Sequence, residues 1–251
     1  MSIVFLVGNN RELCLYRCCG AGIKIDHVIA FAGQKSRLDS WEEACKKLNV
    51  PLSIIDKGTL VPLLQKLNPQ LAVTIGFPLL IHKEGLNSAE NFINVHPTLL
   101  PKYRGAHSGW YILANNEKES GVTIHFLSSE IDEGDIISQG KFKLSSFDTP
   151  RSMYKKSREL EAELLLKVVT DFKDGVNFQR IKQNEKEATL YKGLRTPEDS
   201  KIDPSKPILE LFHQIRACDP NLYPAFFEYE GQRVCIKLWR PEKPEGEKDL
   251  L

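Results

Sequence analysis

Net charge is nearly absent from this chain. Its 34 Lys and Arg almost balance its 33 Asp and Glu, which leaves a formal net charge of +1. A chain with this balance has no general attraction to nucleic acid or to an anionic membrane surface. We therefore expect no nucleic acid and no membrane among its partners.

Metal-binding and redox cysteine motifs are also missing. No C-x-x-C pair occurs, and no histidine lies at zinc-finger spacing beside a cysteine. We interpret the cysteines as small apolar packing residues of a reduced protein, and we expect no metal. The six are Cys14, Cys18, Cys19, Cys45, Cys218 and Cys235.

Long apolar runs are lacking as well, and none approaches the length of a membrane span. Residues 1–7 are apolar, but they lack a basic start and lead directly into the polar Gly8-Asn9-Asn10 segment. This segment is too short for a secretory signal. The expected location is the cytoplasm.

Short β-rich runs alternate with helical stretches through the first part of the chain. In the second helical stretch, Ser40 and Glu43 have the spacing of a capping box. The order predicts an α/β fold with a mainly parallel, Rossmann-like sheet and helices on both faces. Ligands of such sheets bind beyond the carboxyl ends of the strands. The predicted strands are Ile3–Val7, His27–Phe31, Leu52–Ile55 and Leu71–Ile75.

The later part of the chain predicts a different organisation. Two strands (121–127 and 135–144) precede a long amphipathic helix (150–172). The charge-rich segment 182–203 is interpreted as a linker, followed by a small C-terminal helix and hairpin. We predict two domains, residues 1–180 and residues 181–251.

A polar pair ends the strand that includes Ile93. Side chains alternate in a strand, so Asn94 and His96 should point to the same face. This pair is either an active site above the sheet or a hydrogen-bonded core pair. Asp132, in the turn 130–134, is either a third member of the site or an ordinary turn former.

These three residue types suit acyl transfer to an amine. An amide can stabilise the oxyanion, a histidine near neutral pKa can take the proton of the attacking amine, and a carboxylate can orient that histidine. The amine is itself the nucleophile, so the chemistry requires no serine, cysteine or metal.

The combined motifs resemble the formyltransferase family, which includes methionyl-tRNA, glycinamide ribonucleotide and sugar N-formyltransferases. The motifs are Asn94-x-His96-Pro97, Leu99-Leu100-Pro101, Gly121-Val122-Thr123 and Asp132-x-Gly134-Asp135. The resemblance implies a catalytic domain over residues 1–180 and 10-formyltetrahydrofolate as the co-substrate. It implies Asn94, His96 and Asp132 as the catalytic residues. It also implies a folate site formed by Phe77, Pro78, Leu79, Leu80, Thr98, Leu99, Leu100 and Pro101.

The acceptor is less determined, and three alternatives stay open. The first is a nucleotide-linked amino sugar, such as dTDP-4-amino-4,6-dideoxyglucose, used for surface polysaccharide (O-antigen). The second is methionyl-tRNA, although the segment 31–38 is shorter and less basic than the corresponding insertion of the tRNA enzymes that the chain resembles. The third is a hydrolase or a binding module on the same scaffold. The predicted acceptor-binding residues are Asn9, Arg104, Gly105, Ala106, His107 and Tyr223.

The C-terminal hairpin has more apolar side chains than an isolated hairpin can bury on itself. Some can pack on the main domain, and the rest would suit a two-fold interface, so we expect a homodimer. The side chains concerned are Phe226, Phe227, Val234, Ile236, Leu238 and Trp239.

Overall fold

A seven-stranded sheet lies at the centre of the computed structural model, which describes residues 1–33, 38–106, 108–191, 193 and 195–243. The strands of this sheet are β1 (Ile3–Val7), β2 (His27–Phe31), β3 (Leu52–Ile55), β4 (Leu71–Ile75), β5 (Asn91–His96), β7 (Glu119–Phe126) and β8 (Ile136–Lys143). Their spatial order is β3-β2-β1-β4-β5-β7-β8. The first five pair in parallel, and β7 and β8 are antiparallel to their neighbours. The predicted α/β class is confirmed.

Helices cover both faces of the sheet. They are α1 (Leu13–Gly20), α2 (Asp39–Leu48), α3 (Leu60–Leu67), α4 (Lys83–Leu86), α5 (Ser108–Ala114), α6 (Pro150–Lys173) and α7 (Ile208–Arg216). One apolar core lies between the sheet and α1, α2 and α6, and a second lies between the sheet and α3. The strands β1 and β4 are buried on both faces, which explains their uninterrupted apolar sequences.

The N-terminal capping box predicted for α2 is wrong. The helix begins at Asp39, so Ser40 lies within its first turn, and the N-terminus has no side-chain cap. The Ser40 hydroxyl instead donates a hydrogen bond to Glu12 Oε2 at 3.0 Å. A tertiary contact therefore uses the hydroxyl that the local pattern had assigned to the helix terminus.

The predicted linker contains ordered structure. We call residues 181–191 the strap. Ile181 pairs with Ile136 at the start of β8, and β9 (Leu190–Tyr191) pairs in parallel with β6 (Arg104–Gly105). The Tyr191 ring stacks on Tyr111 with the ring centroids 3.7 Å apart. The strap is thus attached to β8 of the central sheet at its start and to β6 at its end.

The C-terminal region consists of α7 and a hairpin of β10 (Ala225–Tyr229) and β11 (Gln232–Ile236). Phe226 is buried, and Phe227, Ile236 and Leu238 pack against the same core as α7. Several large apolar side chains of this region remain exposed: Leu222, Tyr229, Val234 and Trp239.

The cysteines are unpaired, and four of the six are buried. Within the described ranges, no helix combines the length and the apolar character needed to cross a membrane.

Candidate active site

Five polar side chains converge where β5 meets its neighbours. Asn94 and His96 point to the same face of β5, as the alternation predicted. The antiparallel register sets His125 of β7 opposite Asn94, and the parallel register sets Thr74 of β4 on its other side. Asp132, from the loop between β7 and β8, folds over this group. The structure therefore brings the three predicted catalytic residues together.

The Asn94 carboxamide has a single defined orientation. Its Oδ1 accepts a hydrogen bond from the Thr74 hydroxyl at 2.7 Å. Its Nδ2 lies 3.3 Å from Asp132 Oδ1 and 3.1 Å from His125 Nε2. The Nδ1 atom of His125 lies 2.8 Å from the Phe126 carbonyl oxygen, which can only accept. His125 Nδ1 therefore carries a proton, and Nε2 faces both the Asn94 amide and Asp132 Oδ1, which lies 3.6 Å away.

The tautomer of His96 follows from the same argument. Its Nε2 lies 3.0 Å from the Tyr103 carbonyl oxygen and therefore carries the proton in the neutral ring. Its Nδ1 has the lone pair and lies 3.5 Å from Asp132 Oδ2. Burial lowers the pKa of His96, whereas the Asp132 carboxylate opposes that fall. The ring is consequently neutral near pH 7 and able to take a proton on Nδ1.

Asp132 is held as a carboxylate. Burial opposes its ionisation, but His96, His125 and the backbone amide of Gly105 together hold its pKa well below the ordinary value. The Gly105 amide donates to Oδ2 at 2.8 Å. The residue has a φ of 56°, and the loop then passes so close to β7 that a Cβ at Gly134 would lie 1.7 Å from the Phe126 carbonyl oxygen. A glycine is required there for Asp132 to reach the histidines.

This arrangement can perform a defined chemistry. The Nδ1 atom of His96 can receive a proton, and the adjacent Asp132 carboxylate stabilises the resulting charge. The Asn94 amide nitrogen lies at the same place, and an N–H that turns from its His125 contact to a substrate can stabilise negative charge that develops on a carbonyl oxygen.

The predicted folate residues lie in two segments that differ in exposure. In the first, the loop after β4, Leu80 is 66% exposed, and Phe77, Pro78 and Leu79 retain accessible surface. An apolar loop with this exposure fits a flat heterocyclic ligand. In the second, Thr98 and Leu100 are buried, so this turn can offer a ligand its backbone and the accessible surfaces of Leu99 and Pro101.

Thr123 and Gln139 hold the second of these segments against the sheet. The Thr123 hydroxyl donates to the Thr98 carbonyl at 2.7 Å and accepts from the Leu100 amide at 3.1 Å. The Gln139 amide donates to the Leu100 carbonyl at 2.7 Å. The backbone that the turn offers to a ligand is therefore fixed in position.

Among the predicted acceptor-binding residues, Arg104 has unexpected surroundings. Its guanidinium is buried and binds Gln183, Glu185 and Glu133. These partners already satisfy the guanidinium charge, so it is not available to an acceptor. Its neighbour Gly105 binds Asp132.

The other predicted acceptor-binding residues are spread around the site. Asn9 lies in the turn after β1, and its carbonyl oxygen accepts a hydrogen bond from the Trp41 indole N–H at 2.6 Å. Ala106 follows β6 and is half-buried, and the half-buried Tyr223 lies beside Arg195. His107 lies outside the described residues.

Three arginines that the sequence did not indicate as site residues surround Tyr154. Loss of solvation raises the pKa of Tyr154, and the charges of Arg11, Arg158 and Arg195 oppose that rise. The charge of Arg11 also lowers the pKa of His96, so Arg11 lies within electrostatic range of the triad. Arg11 pairs with the buried Glu161 at 3.5 Å. Spacing along the chain contained no signal for this cluster, because its members come from three separate segments.

Aromatic rings flank one member of this cluster. The Arg195 guanidinium lies over the Trp110 ring at 4.4 Å and near the Tyr223 ring at 5.9 Å. The indole N–H of Trp110 and the Nε of Arg195 are buried without a hydrogen-bond partner in the described part of the chain. The surroundings of Arg195 thus combine a cation, two aromatic rings and two N–H groups without a hydrogen-bond partner in the described part of the chain.

Known proteins resemble the chain in both sequence and fold. Methionyl-tRNA formyltransferase of Streptococcus equi subsp. equi (strain 4047) is 35% identical over 175 residues, covering 69% of this chain and 54% of the relative. The chain thus spans about half the length of the curated relatives that it matches. A 4-N formyltransferase from Francisella tularensis superposes with a TM-score of 0.78 at 26% identity, covering 94% of this chain and 97% of that one.

An N-formyltransferase from Helicobacter canadensis, solved with folinic acid and dTDP-3-aminofucose, has the same fold. Its TM-score is 0.76 at 22% identity, with coverage of 93% and 86% of the two chains. The Formyl transferase family model matches residues 42–169, which include Asn94, His96 and Asp132. This chain belongs to the formyl transferase family.

Proposed function

We propose that this protein transfers the formyl group of 10-formyltetrahydrofolate to the amino group of a nucleotide-linked amino sugar. The observation that carries the proposal is the triad of Asn94, His96 and Asp132, with distances of 3.3 and 3.5 Å from the carboxylate to the other two residues. Family membership and the exposed apolar loop after β4 support a folate as the formyl donor.

Each member of the triad has a distinct role in this proposal. The bound folate supplies the activated formyl group. His96 takes a proton from the acceptor amine on Nδ1, the nitrogen that its Nε2–H contact to Tyr103 leaves available, and returns it to the folate nitrogen that leaves as the formyl C–N bond of the donor breaks. Asp132 stabilises the imidazolium, and Asn94 donates to the formyl oxygen as negative charge develops there.

The arginine cluster supports an acceptor with a diphosphate. No carboxylate of the described residues forms an ion pair with Arg158 or Arg195, so their charges are available to an anion. The fork of donors on an arginine matches phosphate oxygens. The Trp110 and Tyr223 rings beside Arg195 suit stacking of a nucleotide base.

Two relatives guide the choice of sugar. One is named a 4-N formyltransferase, and the other was solved with a dTDP-linked amino sugar. We therefore propose dTDP-4-amino-4,6-dideoxyglucose as the acceptor, with its product used for surface polysaccharide (O-antigen). The proposed setting is a cytoplasmic homodimer.

Methionyl-tRNA is the second candidate acceptor, because the curated relatives at 32–36% identity are methionyl-tRNA formyltransferases. Against it, tRNA binding depends on many phosphate contacts, and the 34 Lys and Arg of this chain are balanced by 33 Asp and Glu.

Substitutions in the arginine cluster test the acceptor class. Arg158→Gln and Arg195→Gln should each raise the KM for the nucleotide amino sugar about tenfold or more, the scale of a charged hydrogen bond, with the KM for folate unchanged. Arg17→Gln is the matched control, since Arg17 is an exposed arginine paired with the exposed Glu159. An unchanged sugar KM in both variants would contradict the diphosphate assignment.

A further inference from the structure

The loop that carries Asp132 has its backbone fixed by one side chain of the strap. The carbonyl oxygens of Asp132 and Gly134 both accept from Gln183 Nε2, at 2.7 and 2.8 Å. One carbonyl belongs to Asp132, whose carboxylate reaches the histidines, and the other lies two residues further along the loop. A single amide group thus fixes the backbone at Asp132 and directly after it.

The opposite end of the Gln183 amide is fixed as well. Its Oε1 accepts from Arg104 Nε at 3.1 Å and from Nη2 at 2.8 Å. Arg104 is 2% exposed and also binds Glu185 through both terminal nitrogens. Two donors on one side and two acceptors on the other permit only one orientation of the amide.

The carboxylate of Asp132 is tied to the strap by a second route. Its Oδ2 accepts from the Gly105 amide of β6, and β6 pairs with β9 of the strap. The Thr189 carbonyl accepts from the Arg104 amide at 2.9 Å, and the Thr189 hydroxyl accepts from the Tyr103 amide at 2.7 Å. Tyr103 in turn supplies the carbonyl that sets the His96 tautomer.

From these contacts we infer that Gln183 is a positioning residue for the formyl transfer, which it serves by holding Asp132 at its distances from His96 and Asn94. The strap is then part of the active site and not a connector between domains. The inference rests on the proposed role of Asp132. Gln183 lies 51 positions beyond Asp132 in the sequence and touches neither the substrate nor the reacting atoms.

Substitution of Gln183 tests this inference. Gln183→Met keeps the length of the side chain but removes both the NH₂ group that binds the two carbonyls and the oxygen that binds Arg104. Gln183→Glu keeps the contact with Arg104 and sets an oxygen against the two carbonyls. Each should lower kcat about 10²-fold, the scale of a misplaced catalytic group, with the KM values within about threefold. Gln179→Met is the matched control, because Gln179 donates to the Ile137 carbonyl instead.

A second readout separates positioning from general destabilisation. Proton–carbon NMR of histidine-labelled protein follows the titration of His96, assigned with a His96→Asn spectrum. Asp132 raises the pKa of His96, so its displacement in either Gln183 variant should lower the midpoint. The control should titrate like the wild type. Loss of folding stability alone would leave the midpoint unchanged.

These outcomes also distinguish the two proposals. The titration requires no acceptor, so it reports on Gln183 even if the wild type transfers formyl to none of the acceptors tested. Wild-type kcat and wild-type His96 titration in the Gln183 variants would overturn the positioning role. If Gln183→Met does not fold, Gln183→Glu decides by the same two measurements.

Discussion

Replacing Asp132 by asparagine should disable the site while keeping the size of the side chain. Oδ2 of Asp132 accepts from the Gly105 amide at 2.8 Å, and Oδ1 accepts from Asn94 Nδ2 at 3.3 Å. Asparagine has one acceptor oxygen, so in either orientation its NH₂ group faces a donor. The substitution also removes the negative charge that lies 3.5 Å from His96 Nδ1.

The expected magnitude follows from that distance. A full charge pair at 3.5 Å in an effective dielectric of about 20 interacts by about 5 kcal/mol. The imidazolium charge is only partly developed in the transition state, so about 3 kcal/mol should be lost. This loss corresponds to a decrease in kcat/KM of about 10²-fold.

The assay is steady-state formyl transfer by Asp132→Asn, with Asp135→Asn as the control. Asp135 lies three residues along the same loop and pairs with the exposed Arg180 at 3.9 Å, so its substitution should leave kcat/KM within about twofold. A folded Asp132→Asn protein with a kcat/KM within threefold of the wild type would refute the reasoning.

Further substitutions and conditions give three more predictions. His96→Ala should lower kcat about 10²-fold or more in the same assay, as expected for loss of a positioned base, and near-normal turnover of a folded variant would contradict this role. Because burial lowers the pKa of His96, kcat/KM should rise with pH along an acid limb whose apparent pKa is below 6.5, and a flat profile would argue against a base. Because Val234 and Trp239 of the hairpin are exposed, we expect the protein to sediment as a dimer at micromolar concentration. Dissociation of the dimer by Trp239→Glu would support this interface, and a monomeric wild type would count against it.

Much of the sheet was predictable because its strands are apolar runs bounded by turns. Ile3–Val7 and Leu71–Ile75 have the predicted bounds. The common face of Asn94 and His96 followed from the two-residue period of a strand. The sequence pattern was sufficient to predict these features because they depend on residues that are close together in the chain.

The contacts that complete the site were not predictable in the same way. His125 lies on the face of Asn94 only because β7 pairs with β5 in one particular register. Gln183 lies in a polar stretch, and its partners Asp132 and Arg104 are 51 and 79 residues away. The carboxylate partners of Arg104 could not be predicted from the local pattern either, because Glu133 and Glu185 lie 29 and 81 residues away along the chain.

The central claim is formyl transfer from 10-formyltetrahydrofolate to a nucleotide-linked amino sugar. The most direct measurement incubates the protein with this folate and a panel of nucleotide amino sugars, with initiator methionyl-tRNA in parallel, and follows the mass of each acceptor. We predict a mass gain of one formyl group on an amino sugar, none on the tRNA, and loss of the reaction in His96→Ala. Efficient formylation of methionyl-tRNA, with none of the sugars modified, would contradict the account.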